Sequence, residues 1–309
     1  PDRWFRPVDV EVGPDGAVYI AGWYDTRLSH VDPRDNWHKT SGRIYRLTRR
    51  ESAEPNVGTP ALPEASSSVS FDLTQLDDEA LIGLFSHPNK WMRQTAVRVL
   101  GERLYRNASI AMIEKLFQMA QDESATDSLE ALWTLHWCGA AYEDLLVKLL
   151  WHPSPDVRRW AARFLGDDRL IKLPASRALL GLAKREEYVQ VRSQLASSAR
   201  RMHATYALPI LHALAGRSED ASDPQQPLQL WWGFEAFAGA IPAASPQLGV
   251  PLPDVGISPL PRAELIESLT APEVWDEPLM AETVLPRLMQ RLALEAVTSP
   301  TEPTPAGDG

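Results

Sequence analysis

The stretch EALIGLFSHPNKWMRQTAVRVLG, from Glu79 to Gly101, lies over DLLVKLLWHPSPDVRRWAARFLG, from Asp144 to Gly166, without a gap. Leu81 falls on Leu146, Leu84 on Leu149, His87-Pro88 on His152-Pro153 and Arg93 on Arg158. Ala96 falls on Ala161, Arg98 on Arg163 and Leu100-Gly101 on Leu165-Gly166. The offset is about 65 residues, two periods of about 32, which is the length of one helical hairpin. ASIAMIEKLFQMA and TDSLEALWTLHWCG fill the interval. SRALLGLAKREEYVQVRSQLASSARRM, YALPILHALAG and PLQLWWGFEAF follow, for roughly five hairpins in all. Each begins with a helix carrying Leu or Ile at i, i+3 and i+4. A turn that often contains Pro stops that helix, and a second helix follows with Ala at the positions that let the pair pack closely. Neither helix can bury its apolar stripe alone, so the hairpins must stack. The fold class expected is mainly α: a HEAT-like α-solenoid preceded by a short antiparallel β segment.

That β segment occupies the first 50 residues. In PVDVEVGPDGAVYIAGWYD, Val8, Val10 and Val12 alternate with Asp9 and Glu11, Pro14-Asp15-Gly16 supplies a turn, and Val18 and Ile20 resume the alternation. After a polar loop, GRIYRLTRR reads as a closing strand carrying Ile44, Tyr45 and Leu47. An isolated hairpin is marginal in water, and little after Thr48 looks like strand. Residues 1–50 are therefore expected to be the terminal strands of an incomplete domain, with Val8, Val10, Val18 and Ile20 poorly covered unless the helical repeats fold over them. The chain opens on Pro1 rather than Met, as a processed or cut-out piece would. Residues 51–70 have the Pro, Ser and Gly content of a linker. Repeats occupy 71–240, a Pro-rich loop and C-terminal helices 241–297, and a linker-like tail 298–309.

An apolar fraction of 44% suffices for real cores, and no apolar run approaches the roughly eighteen residues of a membrane span. Acidic residues outnumber basic ones 41 to 31, for a formal charge of −10, which argues against nucleic acid as a partner. There is no CxxC or CxxCH, and no Gly-rich phosphate loop or HExxH helix. The lone Cys138 ends an apolar helical pattern and reads as a small hydrophobe rather than a reactive thiol.

The turn followed by Trp91-Met92-Arg93, Asp156-Val157-Arg158 and Gln190-Val191-Arg192 resembles the HEAT-repeat family, whose second helix opens on an Asp-Val-Arg-like step; only Asp156 keeps the acidic residue. The likeness covers about Phe71 to Ala238. More broadly, the GPDG turn with its WYD strand end, GRIYR, the repeats, LQLWWGFEA and a last helix with Trp275 are similar to extracytoplasmic proteins of planctomycete-type bacteria described as membrane-bound dehydrogenases or haem-binding proteins. In those, a β-propeller like that of quinoprotein glucose dehydrogenases precedes HEAT-like repeats. The resemblance implies that residues 1–50 end a propeller and that the protein works outside the cytoplasm or at a membrane. It further implies that the parent protein uses PQQ and Ca²⁺, with haem c on a separate domain and no cofactor in this segment. Gly22 stands where those proteins usually carry an acidic residue.

The densest run of ionisable groups is the loop from Asp25 to Ser41. Asp25, Arg27, His30, Asp32, Asp35 and His38 could line a sugar or alcohol dehydrogenase site or bind Ca²⁺ through hard oxygen ligands, with His as acid or base. Otherwise they form a solvated loop with ordinary turn chemistry. The recurring Arg93, Arg158 and Arg192 suggest a ladder of bonds between repeats, with Arg98, Arg159 and Arg163 on a wet face; the alternative is a basic strip for an acidic partner. Trp231, Trp232 and Phe234, near Glu235, either cap the last repeat or form a docking surface. His87 and His152, repeated before Pro, suit a turn role better than ligation. The leading expectation is a scaffold that is not catalytic alone and that contacts other domains of the same protein or a protein partner. The alternatives are a contribution of loop 25–41 to a dehydrogenase site, and a stand-alone HEAT adaptor.

Overall fold

The computed structural model describes residues 4–25, 40–48, 72–124, 126–168, 171–238, 266, 267, 269 and 271–298. They fall into two compact units: residues 1–120 with 125–140, and residues 121–124 with 141–309. The class is mainly α, with HEAT-like helical hairpins following a three-stranded antiparallel sheet. The linker at 51–70, the Pro-rich excursion at 239–264 and the tail at 299–309 lie outside the described residues.

The first unit opens with strands β1 (Phe5–Val12), β2 (Val18–Tyr24) and β3 (Arg43–Leu47), paired in that order. The β1–β2 turn closes through Gly13 N–H to Ala17 O at 2.8 Å and Gly16 N–H to Gly13 O at 3.0 Å. Gly16 sits at φ 75°, where a side chain would be strained. Asp15 accepts from Ala17 N–H, Tyr19 Oη and, at 2.7 Å, Arg46 Nε, so one carboxylate ties the turn to β3. Burial would raise its pKa, but these bonds, that from Arg46 first, hold it below the ordinary value. A bulge between Pro7 and Asp9 turns Val8 to the face opposite Val10. Val10 and Val12 therefore share one face with Ile20, Tyr45 and Leu47, while Val8 shares the other with Trp23 and Ile44. Val8, Val10, Val12, Trp23, Ile44 and Leu47 are all exposed, Ile44 by 75%. Apolar groups thus lie open on both faces of the sheet, while Val18 and Ile20 on the central strand are half-buried.

The helices of this unit are α1 (Asp78–Gly83), α2 (Lys90–Arg106), α3 (Ile110–Gln121) and α4 (Ser128–Trp137). Asp77 caps α1 through Ala80 N–H at 2.8 Å, and Asn89 caps α2 through Trp91 N–H at 2.9 Å. Leu81 and Phe85, Ala96 and Leu100, Leu116, and Leu132 and Leu135 make the core. Arg103 of α2 reaches back to the Asp78 carboxylate and the carbonyls of Thr74 and Leu76, fastening the start of the first hairpin.

The second unit holds α5 (Glu143–Leu149), α6 (Pro155–Asp167), α7 (Leu173–Arg185), α8 (Val189–Ala199), α9 (Ala204–Ala215), α10 (Gln226–Ala238) and α11 (Leu285–Thr298). Pro155 and Pro174 stand in the first turns of α6 and α7, where a missing N–H costs nothing. Second helices stack on second helices, α6 on α8 and α8 on α10. Leu146 and Leu149, Leu179 and Leu211 of the first helices are buried, with Ala161 and Leu165, Leu195 and Phe234 of the second. A π-helical turn, Met280–Val284, leads into α11, where Pro286 cannot donate to the previous turn. Leu285 and Leu288 of α11 are buried, whereas Leu294, further along the same helix, is exposed. No helix among the described residues is long and apolar enough to cross a membrane.

Candidate functional site

Three arginines occupy the same place in three hairpins, each on the first turn of a second helix. Arg93 Nη1 donates to the carbonyls of His87 and Pro88 at 2.8 and 3.1 Å. Arg158 Nη1 donates to His152 and Pro153, both at 2.8 Å. Arg192 Nη1 donates to Glu186 and Glu187 at 3.1 and 2.8 Å. Each guanidinium thus holds the two carbonyls left over in its own hairpin turn, and its other edge takes a carboxylate from the next hairpin. Arg93 Nε meets Glu130 at 3.2 Å. Arg158 grips Glu186 with two bonds, Nε at 2.8 Å and Nη2 at 2.7 Å. Arg192 grips Asp220 with two as well, one at 2.6 Å, and each side chain of that pair is 5% exposed. Burial alone would raise the Glu186 pKa, yet the Arg158 bonds and the N–H groups of Tyr188 and Glu187 hold it below the ordinary value. At Glu130 the balance is reversed: burial outweighs Arg93, and the pKa rises. At the same place in the second hairpin, the fourth residue of α4, stands Ala131, and in α10 stands Gln229. Arg98, Arg159 and Arg163 pair instead with Glu102, Asp156 and Asp167 on exposed ground.

The histidines of the turns act on the backbone. His87 Nδ1 accepts from Asn89 N–H at 3.0 Å and His152 Nδ1 from Ser154 N–H at 3.1 Å. His203 does the same for Thr205 at the start of α9. Besides capping α2, Asn89 donates from Nδ2 to Gly13 O and Pro14 O at 3.0 and 3.1 Å, fastening the β1–β2 turn to the first hairpin.

One turn opens into a cleft of about 210 Å³, lined by Trp151, His152, Pro153, Arg158, Arg185, Glu186, Glu187 and Tyr188. Trp151 is 60% and Tyr188 50% exposed. The Arg185 guanidinium lies 3.3 Å from the centre of the Trp151 ring and donates Nη2 to Leu150 O at 2.9 Å, while Nη1 is buried without a hydrogen-bond partner. The Arg158 guanidinium stands 5.5 Å from the Tyr188 ring. Burial is the chief reason that the Arg185 pKa lies below its ordinary value.

Of the candidate loop, the described residues include Asp25, which is buried, with its N–H bonded to Trp4 O at 3.1 Å. Arg27, His30, Asp32, Asp35 and His38 lie outside the described residues. Among the described residues no group of three His, Cys, Asp or Glu is placed to hold a metal ion. In α10 the tryptophans part company: Trp231 and Phe234 are buried, while Trp232 is exposed. Glu235 pairs with Arg291 of α11 at 2.7 Å. Cys138 is half-buried, its thiol pushed up by burial and bonded to Leu135 O.

Sequence reasoning did not single out Asn89, the acidic partners, or Trp151, Arg185 and Tyr188. A signal existed for Trp151: a large aromatic at a turn position where the aligned repeat has Ser86.

Helical hairpins cross-linked by a repeated arginine that bridges its own turn to a carboxylate of the next hairpin define a HEAT-like repeat protein carrying an N-terminal sheet. The family described as Domain of unknown function (DUF7133) matches residues 1–51, the part that holds the sheet. A designed armadillo repeat protein in complex with the peptide (KR)4 is similar at 16% identity, over 68% of this chain and all of that one, with a TM-score of 0.36. None of the curated proteins matches the chain.

Proposed function

We propose that the chain is a scaffold and interaction region, in which helical repeats hold a β-sheet and offer surface to protein partners or to other domains of the same protein. The sheet is the observation that carries this reading. It is apolar and open on both faces, and Asn89 fixes its turn to the first hairpin. A three-stranded sheet uncovered on both sides calls for β-structure on each, which is the situation of a propeller blade between its neighbours. In its finer form the proposal makes residues 1–50 the last strands of a propeller in an extracytoplasmic, dehydrogenase-like protein. The GPDG and GRIYR motifs support that form, and any redox chemistry then belongs to the completed propeller rather than to the repeats.

Site-specific photo-crosslinking in the native gene product tests it. A benzoylphenylalanine at position 10 or 44, one on each face of the sheet, is expected to crosslink to β-strand sequence. The same probe at position 105, an exposed place on the repeats, serves as reference. Crosslinking at 10 and 44 no greater than at 105 would overturn the reading.

A further inference from the structure

We propose that Asn89 is a latch: its side-chain amide fixes the orientation of the sheet on the repeats at one turn, and its release lets the sheet swing as a body while the hairpins stay folded. The proposal deepens the scaffold reading and rests on it. Burial in the strand segment is concentrated where Asn89 reaches. Every residue of β1 and β3 is exposed or half-buried. Gly22, the buried residue of β2, lies beneath the sheet's own Phe5 and Tyr45 rings. Asp25, buried as well, bonds to Trp4 O at the far end of the sheet. The remaining buried residues among those described are Gly13 and Ala17, one on each side of the β1–β2 turn.

Asn89 does two jobs with the two ends of one amide. Its Oδ1 caps α2 through Trp91 N–H, and its Nδ2 donates to Gly13 O and Pro14 O. Its own N–H is held by His87 Nδ1, so the side chain leaves a fixed backbone. The turn it grips is stiff. The Tyr19 ring lies against Gly13, where a Cβ would come within 2.3 Å, and Asp15 accepts from Tyr19 Oη and Arg46 Nε. A constraint applied at the turn is therefore carried to β2 and β3. The aligned hairpin has Ser154 at this position, which makes no side-chain cap bond. His152 supports the Ser154 N–H as His87 supports that of Asn89. The hairpin turn thus closes in the same way with serine or asparagine. What asparagine adds is a pair of amide hydrogens, and these are spent on the sheet.

Asn89→Asp separates the two jobs. Aspartate caps a helix as well as asparagine does, but when ionised it presents only oxygen to the two carbonyls. Spin labels at Glu11→Cys of β1 and Gln94→Cys of α2, both exposed positions, report the orientation of the sheet by pulsed electron resonance in the full chain carrying Cys138→Ala. With Asn89 in place, one narrow distance distribution is expected. Asn89→Asp at pH 7 should give a distribution about twice as broad or more, with an unchanged helical circular dichroism signal. Below pH of about 4 the introduced carboxyl takes up a proton and can donate to a carbonyl. The width should then fall back toward that of the Asn89 protein, a return that a purely capping role would not produce. A narrow distribution for Asn89→Asp at pH 7, a breadth that ignores pH, or broadening accompanied by loss of helix overturns the latch. None of these bears on the crosslinks at positions 10 and 44. Failure of those crosslinks with the pH-dependent width intact would count against further β-structure on the sheet instead.

Discussion

Arg192 and Asp220 form the most secluded charged pair of the ladder, each side chain 5% exposed. Removing one partner of such a pair strands the other charge away from water, so Arg192→Ala should cost about 3–5 kcal/mol. Arg93 is 29% exposed and meets Glu130 through a single bond, so Arg93→Ala should cost about 1–2 kcal/mol. Arg98 and Glu102 are an exposed i,i+4 pair, worth about 0.3–0.5 kcal/mol. Urea melts of the three variants check this order, and equal losses would refute it. The recurrence of Arg93, Arg158 and Arg192 is legible in the sequence, but their partners are not. Those lie 37, 28 and 28 residues on, and they differ in type and setting: a glutamate in α4, a glutamate in a loop and an aspartate in a 3₁₀ turn. The Glu277 carboxyl is pushed up by burial, and its Oε2 has no hydrogen-bond partner. The folded protein keeps this proton to higher pH than the unfolded chain does. The resulting stability is complete below the ordinary value of 4.5 and is lost as pH rises through the raised folded value. Glu277→Gln should therefore gain in Tm relative to the native protein as pH increases from that point. A difference that stays constant with pH would sink the assignment.

At the scale of elements, close approach of second helices is set by glycine at one repeated position. A Cβ on Gly101 would come 2.6 Å from Trp137 Cδ1, and one on Gly166 would come 2.5 Å from Ser198 Cβ and 2.9 Å from its Cα. The second clash involves backbone, which cannot step aside, so Gly166→Ala should destabilise the protein by about 1–3 kcal/mol. Gly181, inside α7, meets nothing nearer than the Arg185 guanidinium at 3.9 Å. Gly181→Ala should instead stabilise by about 0.5–1 kcal/mol through helix propensity. Thermal melts showing the same sign for both variants would refute this account of the packing. The Leu-Gly end of each aligned segment made the repeat visible in the sequence, yet nothing there says what the glycine faces. The strands are legible in the same partial way. Alternation marks β1 and β2, but the bulge between Pro7 and Asp9 moves Val8 to the other face, and period-two counting cannot detect that. In α10 the run Trp231-Trp232 looks uniformly apolar, whereas helical geometry sends neighbouring residues to different faces and leaves Trp232 exposed. Loop 25–41 offered the richest chemistry by composition, but a row of ionisable side chains without a structural period fixes no geometry.

For the molecule as a whole, two opposed surface properties decide how it behaves on its own. A formal charge of −10 keeps copies apart, while a sheet with Val10 and Val12 open on one face and Val8, Trp23 and Ile44 on the other invites them together. Salt separates the two effects, because it screens the charge and leaves apolar contact intact. At about 1 M salt, where the screening length is about 3 Å, the isolated chain should self-associate, with a weight-average mass that rises with concentration in sedimentation equilibrium. Val10→Lys with Ile44→Lys places one charge on each face without touching a buried group, so the double variant should remain monomeric with an unchanged Tm. If the native chain stays monomeric at about 100 µM in that salt, a concentration at which exposed strands ordinarily associate, the sheet faces are not adhesive. Nothing physical would then require further β-structure to cover them. If instead the double variant is monomeric but its melting temperature falls, Val10 or Ile44 contributes to the core of the first unit, and the sheet is a finished element rather than one that further strands complete.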